Sequence, residues 1–167
     1  MIYRDGTLAD IPAIDALFRE SFDQTFGHLY APEDEAAFFD QFTPEAWAEE
    51  LAQPDLRFRL AVDDEGVAGF CKISDLQLPA KTEARAMELR QLYLHERAKG
   101  KGVAQAMMTW AIEQARARDA EEVWLTVYSD NHRAKRLYER YGFEEQGSYK
   151  FMVGNHADED LLMRLVL

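Results

Sequence analysis

The sequence predicts an α/β chain with a mixed central sheet and helices on both faces, in the order β-αα-βββ-α-β-α-ββ. Three observations carry this expectation. Hydrophobic spacing is helical before Pro54 and alternates from Arg57 onward. An apolar strand-like run, Glu88 to Leu94, passes through a glycine-bearing turn into a long patterned helix. A second apolar run, Glu122 to Tyr128, is flanked on both sides by helical patterns, as in a sheet covered on two faces. With 167 residues, 47% of them hydrophobic, the chain can bury a proper core, and no repeat or Pro/Gly/Ser-rich linker divides it. One continuous domain over residues 1–167 is expected.

Ile2 to Arg4 reads as a short first strand. Thr7 to Asp10 then offers caps ahead of Pro12, and Ile11, Ile14, Leu17, Phe18 and Phe22 recur at helical spacing up to Phe26-Gly27. Pro32 to Ala52 reads as one or two helical segments, with Thr43-Pro44 as a cap followed by a helix-start proline. Phe58, Leu60 and Val62 alternate with Arg59 and Ala61, and Asp63 to Gly66 turns the chain into Val67 to Ile73, a hairpin. After the connection around Pro79 to Glu83 comes the strand Glu88 to Leu94. The helix from Gly102 to about Arg118 follows, apolar around most of its girth, with only Gln105, Thr109, Glu113 and Arg116 as a polar stripe. Glu122 to Tyr128 is a strand, Asn131 to Tyr141 a helix stopped by Gly142, and the last strands are expected around Ser148 to Val153 and Leu161 to Val166.

Composition narrows the function classes. A net charge of −12 repels nucleic-acid phosphates. Residues 1–50 hold twelve Asp/Glu against Arg4 and Arg19, a local balance of −10, which suits either a solvated helical surface or a cationic small-molecule partner. No apolar run approaches a membrane span and the start lacks a signal-peptide pattern, so no membrane partner and a cytoplasmic location are expected. Cys71 is the only cysteine and lies in an apolar run, which reads as a buried thiol and excludes an internal disulfide. The histidines His28, His95, His132 and His156 show no metal-ligand spacing, and no metal is expected.

Arg97-Ala98-Lys99-Gly100-Lys101-Gly102-Val103-Ala104 is the first stretch that points to chemistry. Two glycines between a strand and a helix allow close backbone approach to an anion, and the free N–H groups and dipole of the helix start favour a diphosphate there. A Walker loop would need Gly-Lys-Ser/Thr after a longer spacing. A dinucleotide fingerprint would need a third glycine where Gln105 stands. A solvent-facing turn is the remaining plain reading.

The second stretch is Asn131-His132-Arg133-Ala134, then Leu137-Tyr138, then Tyr141-Gly142-Phe143, about 30 residues after the glycine turn. The pattern Arg-x-x-Gly-x-Gly followed in this order by Asn-x-x-Ala, Leu-Tyr and Tyr-Gly-Phe resembles the GCN5-related N-acetyltransferases, the GNAT family, over essentially the whole chain. The resemblance implies the acyl-CoA N-acyltransferase fold, acetyl-CoA as cosubstrate and an amine acceptor. It implies cofactor contacts from Leu92, Tyr93 and Leu94, from Arg97, Lys99, Gly100, Lys101, Gly102, Val103 and Ala104, and from Asn131, Ala134 and Tyr138. Within these, the Leu92 N–H is the expected oxyanion donor and Asn131 both caps its helix and bonds the pantetheine arm. Tyr138 is the expected acid for the departing thiolate.

The amine must lose a proton, and three acceptors stay open: Glu88, which period two places on the same strand face as Leu92, Tyr128, and a water. The resemblance is strongest to the PaiA-type spermidine/spermine branch. It rests on Phe22-Asp23-Gln24-Thr25-Phe26, Trp124-Leu125, Gly147 and Asp160-Leu161-Leu162-Met163, although Tyr128 stands where that branch would carry tryptophan. A polyamine or similar small cationic amine is the implied acceptor, with Asp23, Glu33, Asp34 and Glu35 expected at its mouth and direct transfer in a ternary complex. A protein N-terminal amine, or a CoA-binding regulatory module without turnover, are the competing readings. Homodimers are common in the family.

Overall fold

The computed structural model describes residues 1–167. Strand β1 (Ile2–Asp5) leads into helices α1 (Ile11–Phe26), α2 (Pro32–Phe39) and α3 (Pro44–Ala52). Strands β2 (Arg57–Asp63), β3 (Gly66–Asp75) and β4 (Ala86–Leu94) follow, then α4 (Val103–Ala117), β5 (Glu122–Tyr128), α5 (His132–Arg140), β6 (Glu144–Val153) and β7 (His156–Val166). The order is the expected one, with two segments in the Pro32 to Ala52 region. The strands form one sheet in the order β1-β2-β3-β4-β5-β7-β6. Every neighbouring pair is antiparallel except β4 and β5.

Local chemistry fixes the helix ends. The Asp10 carboxylate accepts from the Thr7 N–H at 2.8 Å and from the Arg4 guanidinium at 2.7 and 2.8 Å, so the chain enters α1 held to β1. Those bonds, Arg4 foremost, keep Asp10 below the usual carboxylate range. Thr43 Oγ1 accepts from the Ala46 N–H at 3.1 Å, capping α3 ahead of Pro44. Gly142 ends α5 at φ +95°, a conformation that other residues rarely adopt.

Two apolar layers cover the sheet. On one face α4 buries Val103, Met107, Met108, Ala111, Ile112 and Ala115 against Met87, Leu89, Val123, Leu125, Val127, Met163 and Leu165. On the other, α1, α2 and α3 pack an aromatic cluster centred on Phe18, which is fully buried. Its ring lies 4.5 to 6.2 Å from those of Phe22, Phe38, Phe39, Phe42, Trp47 and Tyr93.

Two sequence expectations are corrected. The last two strands are longer than the segments Ser148 to Val153 and Leu161 to Val166, because β6 opens with the polar, exposed residues Glu144 to Gly147 and β7 with His156 to Asp160, rich in acids. The β3–β4 register steps between Lys72↔Gln91 and Ile73↔Leu89, which leaves Arg90 as a bulge. That extra residue inverts the alternation. Met87 and Leu89 before it, and Leu92 and Leu94 after it, all face α4, while Tyr93 faces the aromatic cluster. Glu88 therefore lies on the opposite face from Leu92, not on the same one.

Phe18→Ala removes the ring on which the aromatic layer converges and is expected to cost about 3–5 kcal/mol. Urea unfolding at equilibrium measures it, and a loss below about 1 kcal/mol would show that the cluster is not a packed core.

Candidate active site

Strands β4 and β5 are hydrogen-bonded only over Ala86–Glu88 and Glu122–Trp124, although β4 runs on to Leu94 and β5 to Tyr128. Past those three pairs the sheet opens. His95 donates to Ala68 O at 2.8 Å, so by the alternation of an antiparallel ladder the Tyr93 N–H also points at β3, and the Leu92 and Leu94 N–H groups point into the gap. A cleft of about 970 Å³ occupies this opening and reaches both faces of the sheet.

At one end the cleft meets the turn before α4. Gly100 and Gly102 sit at φ +74° and +79°, and a Cβ on either would meet no protein atom within 4 Å. The first-turn N–H groups of α4 have no partner within the helix, and the cap, Gly102, has no side chain to offer one. Lys99 adjoins this turn, Arg133 lies near enough to act on Glu96 beside it, and Arg140 also borders the cleft, so positive charge gathers there. An empty glycine cradle, free amides and cations together fit an anionic diphosphate. Asn131 Oδ1 accepts from the Ala134 N–H at 3.3 Å, which caps α5 and leaves the Asn131 amide hydrogens free toward the cleft it borders.

Tyr138 lines the middle of the cleft, with its ring edge-on to Phe143 at 5.9 Å and its hydroxyl unbonded within the chain. Burial pushes its phenol well above the ordinary range, and Cys71 adds to this. Cys71 is itself fully buried and pushed up by that burial. Beside them, burial also raises Tyr93, and Tyr138 and then Asp160 add to this. The Gln91 Oε1 is buried at the cleft wall with no donor.

The far end lies under the aromatic layer. Phe22, Phe26, Tyr30, Trp47, Tyr128 and Phe151 line it, together with the carboxylates Glu50, Glu88, Asp158 and Asp160. Phe26 and Tyr128 meet edge-to-face at 6.0 Å. Tyr128 is raised by burial first and then by the surrounding acids Asp130, Asp158 and Asp160. Asp158 accepts from the Tyr30 hydroxyl in a short bond and lies 3.1 Å from His156 Nε2. Lys72, 2% exposed, commits its ammonium to Glu50 at 2.6 Å, and burial lowers it to about 8.

Leu92, Tyr93, Leu94, Lys99, Gly100, Gly102, Val103, Ala104, Asn131, Ala134 and Tyr138 all border this cleft. Arg97 and Lys101 do not. The Arg97 guanidinium donates to Asp63 at 2.9 and 3.2 Å and to Val67 O at 3.3 Å, so it clamps the β2–β3 hairpin instead of facing a cofactor. Lys101 is exposed on the same side, near enough to Asp63 to help hold that carboxyl down. Glu88 borders the cleft, but its Oε2 accepts from the Gln77 and Leu78 N–H groups at 2.9 and 3.2 Å, which ties down the β3–β4 connection.

The N-terminal acids lie elsewhere too. Asp34 accepts from the Asn155 N–H at 2.9 Å, and Asp23 and Glu35 face each other beside Gly27, where burial and then Asp23 raise Glu35. The acceptor-side charge comes from β7 and α3. Sequence reading missed Arg133, Arg140, Asp158 and Asp160 as site residues. The alternation Asp158, Asp160 within a strand, where Asp is disfavoured, was the available signal.

With this geometry, the family is defined. The model of the acetyltransferase (GNAT) family matches residues 13–143, and the chain belongs to that family. It is an N-acetyltransferase that draws its acetyl group from acetyl-CoA.

Among similar proteins is an uncharacterized N-acetyltransferase of Lactobacillus delbrueckii subsp. lactis, 28% identical over 160 residues, covering 95% of this chain and 92% of that protein. The L-amino acid N-acetyltransferase AaaT of Escherichia coli is 30% identical over 124 residues, 71% of this chain and 75% of its own length. In structure, the PaiA N-acetyltransferase of Thermoplasma acidophilum, crystallised with coenzyme A, superposes with a TM-score of 0.81 over 99% of this chain and 98% of that one, at 19% identity.

Gly100→Val places a β-branched side chain at positive φ in the open cradle and is expected to weaken coenzyme A binding at least tenfold by calorimetry. Unchanged affinity would show that the turn does not hold the nucleotide. Asp160 is raised from 3.8 to about 7, by burial first and Asp158 second, against the pull of the Thr126 hydroxyl. The folded state thus holds this proton more tightly than the unfolded one. The stability attached to it is full below about pH 3.8 and is lost as the pH rises to about 7. Wild type is expected to lose stability relative to Asp160→Asn across that window, and urea midpoints running parallel from about pH 4.5 to 8 would contradict it.

Proposed function

We propose that this enzyme acetylates a primary amine of a small polycation, such as a polyamine, by direct attack in a ternary complex. The observation that carries this reading is the polarity of one continuous cleft. Glycine amides with Lys99, Arg133 and Arg140 stand at one end, and aromatic rings with four carboxylates at the other, where the one buried cation, Lys72, is neutralised by Glu50. Aromatic faces and carboxylates together favour an organic ammonium.

Acetyl-CoA supplies a thioester whose carbonyl carbon is open to an amine and whose sulfur leaves as a thiolate. The chain's residues divide the remaining tasks. Gly100, Gly102, Val103 and Ala104 present backbone to the diphosphate, with Lys99, Arg133 and Arg140 adding charge. The Leu92 and Leu94 N–H groups, unpaired at the open edge of β4, hold the pantetheine arm and the carbonyl oxygen. Donors fixed in advance by a strand cost no reorganisation when charge develops there. The Asn131 amide adds a further contact beside the helix that it caps. Tyr138, kept protonated by its raised pKa, gives its hydroxyl proton to the departing sulfur. Glu88 fixes the β3–β4 connection that borders the acceptor end.

Thiol release from acetyl-CoA, measured with spermidine, spermine, L-amino acids and an alanine-initiated peptide, tests the acceptor. Faster turnover with the polyamines supports the reading. Preference for the peptide or for uncharged amino acids would overturn it. Tyr138→Phe is expected to lower kcat by about 100-fold with coenzyme A affinity unchanged. Undiminished kcat would remove Tyr138 as the acid.

A further inference from the structure

We infer that Asp160 receives the acceptor's ammonium at the floor of the cleft and takes its proton, so that it is the group that frees the nucleophile. The inference rests on the amine-acetylating function proposed above and names the residue that makes the amine reactive.

Asp160 is 6% exposed, yet it borders the cleft. It forms no ion pair, and its only favourable neighbour is the Thr126 hydroxyl. The groups placed directly against it are neutral or acidic. Thr126 and Tyr128 face it from β5 and Tyr149 from β6. Tyr93 on β4 and Tyr30 in the α1–α2 connection are near enough to be raised by its charge. Asp158 shares its face of β7, but its carboxylate is already engaged by Tyr30 and His156. Lys150, the one cation on β6, borders the cleft, but it is exposed and stands in register with Glu159, so it alternates to the face opposite Tyr149 and Asp160.

A carboxylate buried without a counter-ion is destabilising, and chains normally supply one. Here the open side of Asp160 is the cleft itself. The complement is a cation that arrives from solvent, and an alkylammonium is the cation that an N-acetyltransferase must bind.

Two further observations favour Asp160 over Glu88. Glu88 Oε2 is spent on two backbone N–H groups, whereas Asp160 accepts none. Tyr93 is influenced by both Tyr138 and Asp160, so the acid and the base share one phenol as a neighbour on the cleft wall. The raised affinity of Asp160 for a proton, midway near pH 7, matches a group that must take a proton from an amine and return it to water at neutral pH.

The proton count closes. One N–H bond of the ammonium breaks, its electron pair stays on nitrogen, and the proton moves to Asp160. The nitrogen then bonds to the acetyl carbon as the carbon–sulfur bond breaks. The proton that Tyr138 gives to sulfur is replaced by the second one that nitrogen loses. One proton is released in all, from Asp160 to water.

The test compares wild type with Asp160→Asn, using spermidine as the probe and the alanine-initiated peptide wherever spermidine is not turned over. Wild-type kcat/KM is expected to rise with an inflection near pH 7 and then level off. Asp160→Asn is expected to lose about 100-fold at pH 7.5 and to lose the inflection, with coenzyme A affinity intact. Spermidine is also expected to raise the melting temperature of wild type and not of Asp160→Asn, a reading independent of turnover.

Equal rates with the inflection retained in the variant would overturn the inference. So would a loss confined to the KM for the amine, which would leave Asp160 as a binding group only. Wild type alone is sufficient to refute it, through a pH profile flat between about 6 and 8. Failure of the polyamine reading is seen separately, as wild-type transfer to the peptide but not to spermidine.

Discussion

Everything functional in this chain follows from the parting of two parallel strands. β4 is held on one side by a long antiparallel ladder with β3, and β5 by a full ladder with β7. Between them only three residue pairs form. Each strand follows its own antiparallel partner, and the Arg90 bulge adds bend and twist to β4 just where the two separate. A sheet interior normally leaves no backbone group without a partner. Here the Leu92 and Leu94 amides are spared from the ladder, which makes a strand edge available in the middle of a sheet.

The two apolar layers let that opening persist. The α4 layer is largely aliphatic and holds the glycine turn to the sheet through Val103, which is almost fully buried one residue after Gly102. The aromatic layer under α1, α2 and α3 forms the other wall, and its rings extend from the buried core at Phe18 to the cleft surface at Phe26 and Tyr128. Rigid walls on both faces hold Tyr138, Tyr93 and Asp160 around one space. The acidic floor is the destabilising part of the design. A buried carboxyl whose proton affinity is raised by its surroundings weakens the fold at neutral pH, as expected where a site is kept for chemistry and not for stability.

The order of elements was legible because the hydrophobic period changes where the architecture does, at Arg57, and because Gly102 and Gly142 mark a helix start and a helix stop. That the glycine turn, Asn131 and Tyr138 border one cleft was legible too, since the motifs that carry them are local. What failed were the readings that depend on tertiary placement. A single bulge at Arg90 moved Glu88 to the other face from Leu92, and period two alone cannot foresee a bulge.

Arg97 looked like a phosphate ligand by charge and position, but a bidentate pair with Asp63 across the sheet edge engages it. The acidic N-terminal region suggested the acceptor mouth. Of its twelve carboxylates only Glu50, on α3, borders the cleft, where it pairs with Lys72, and the other cleft acids come from β4 and β7. The alternation Asp158, Asp160 hints that the pair shares a face, but it does not distinguish a buried face from the solvent-facing side of an edge strand. The burial of Asp160 is tertiary: β5 and β6 flank β7, and Tyr30 and Tyr93 come close to it from other elements.

The central claim is that acetyl-CoA lies along the free edge of β4 in the gap left by β5. Amide exchange by NMR on the labelled protein measures it at the two residues concerned. On saturation with coenzyme A, the Leu92 and Leu94 N–H signals should shift and their exchange should slow, while the Tyr93 amide, already paired with β3, changes little. Bound coenzyme A that leaves the Leu92 and Leu94 amides unshifted and unprotected would contradict the account.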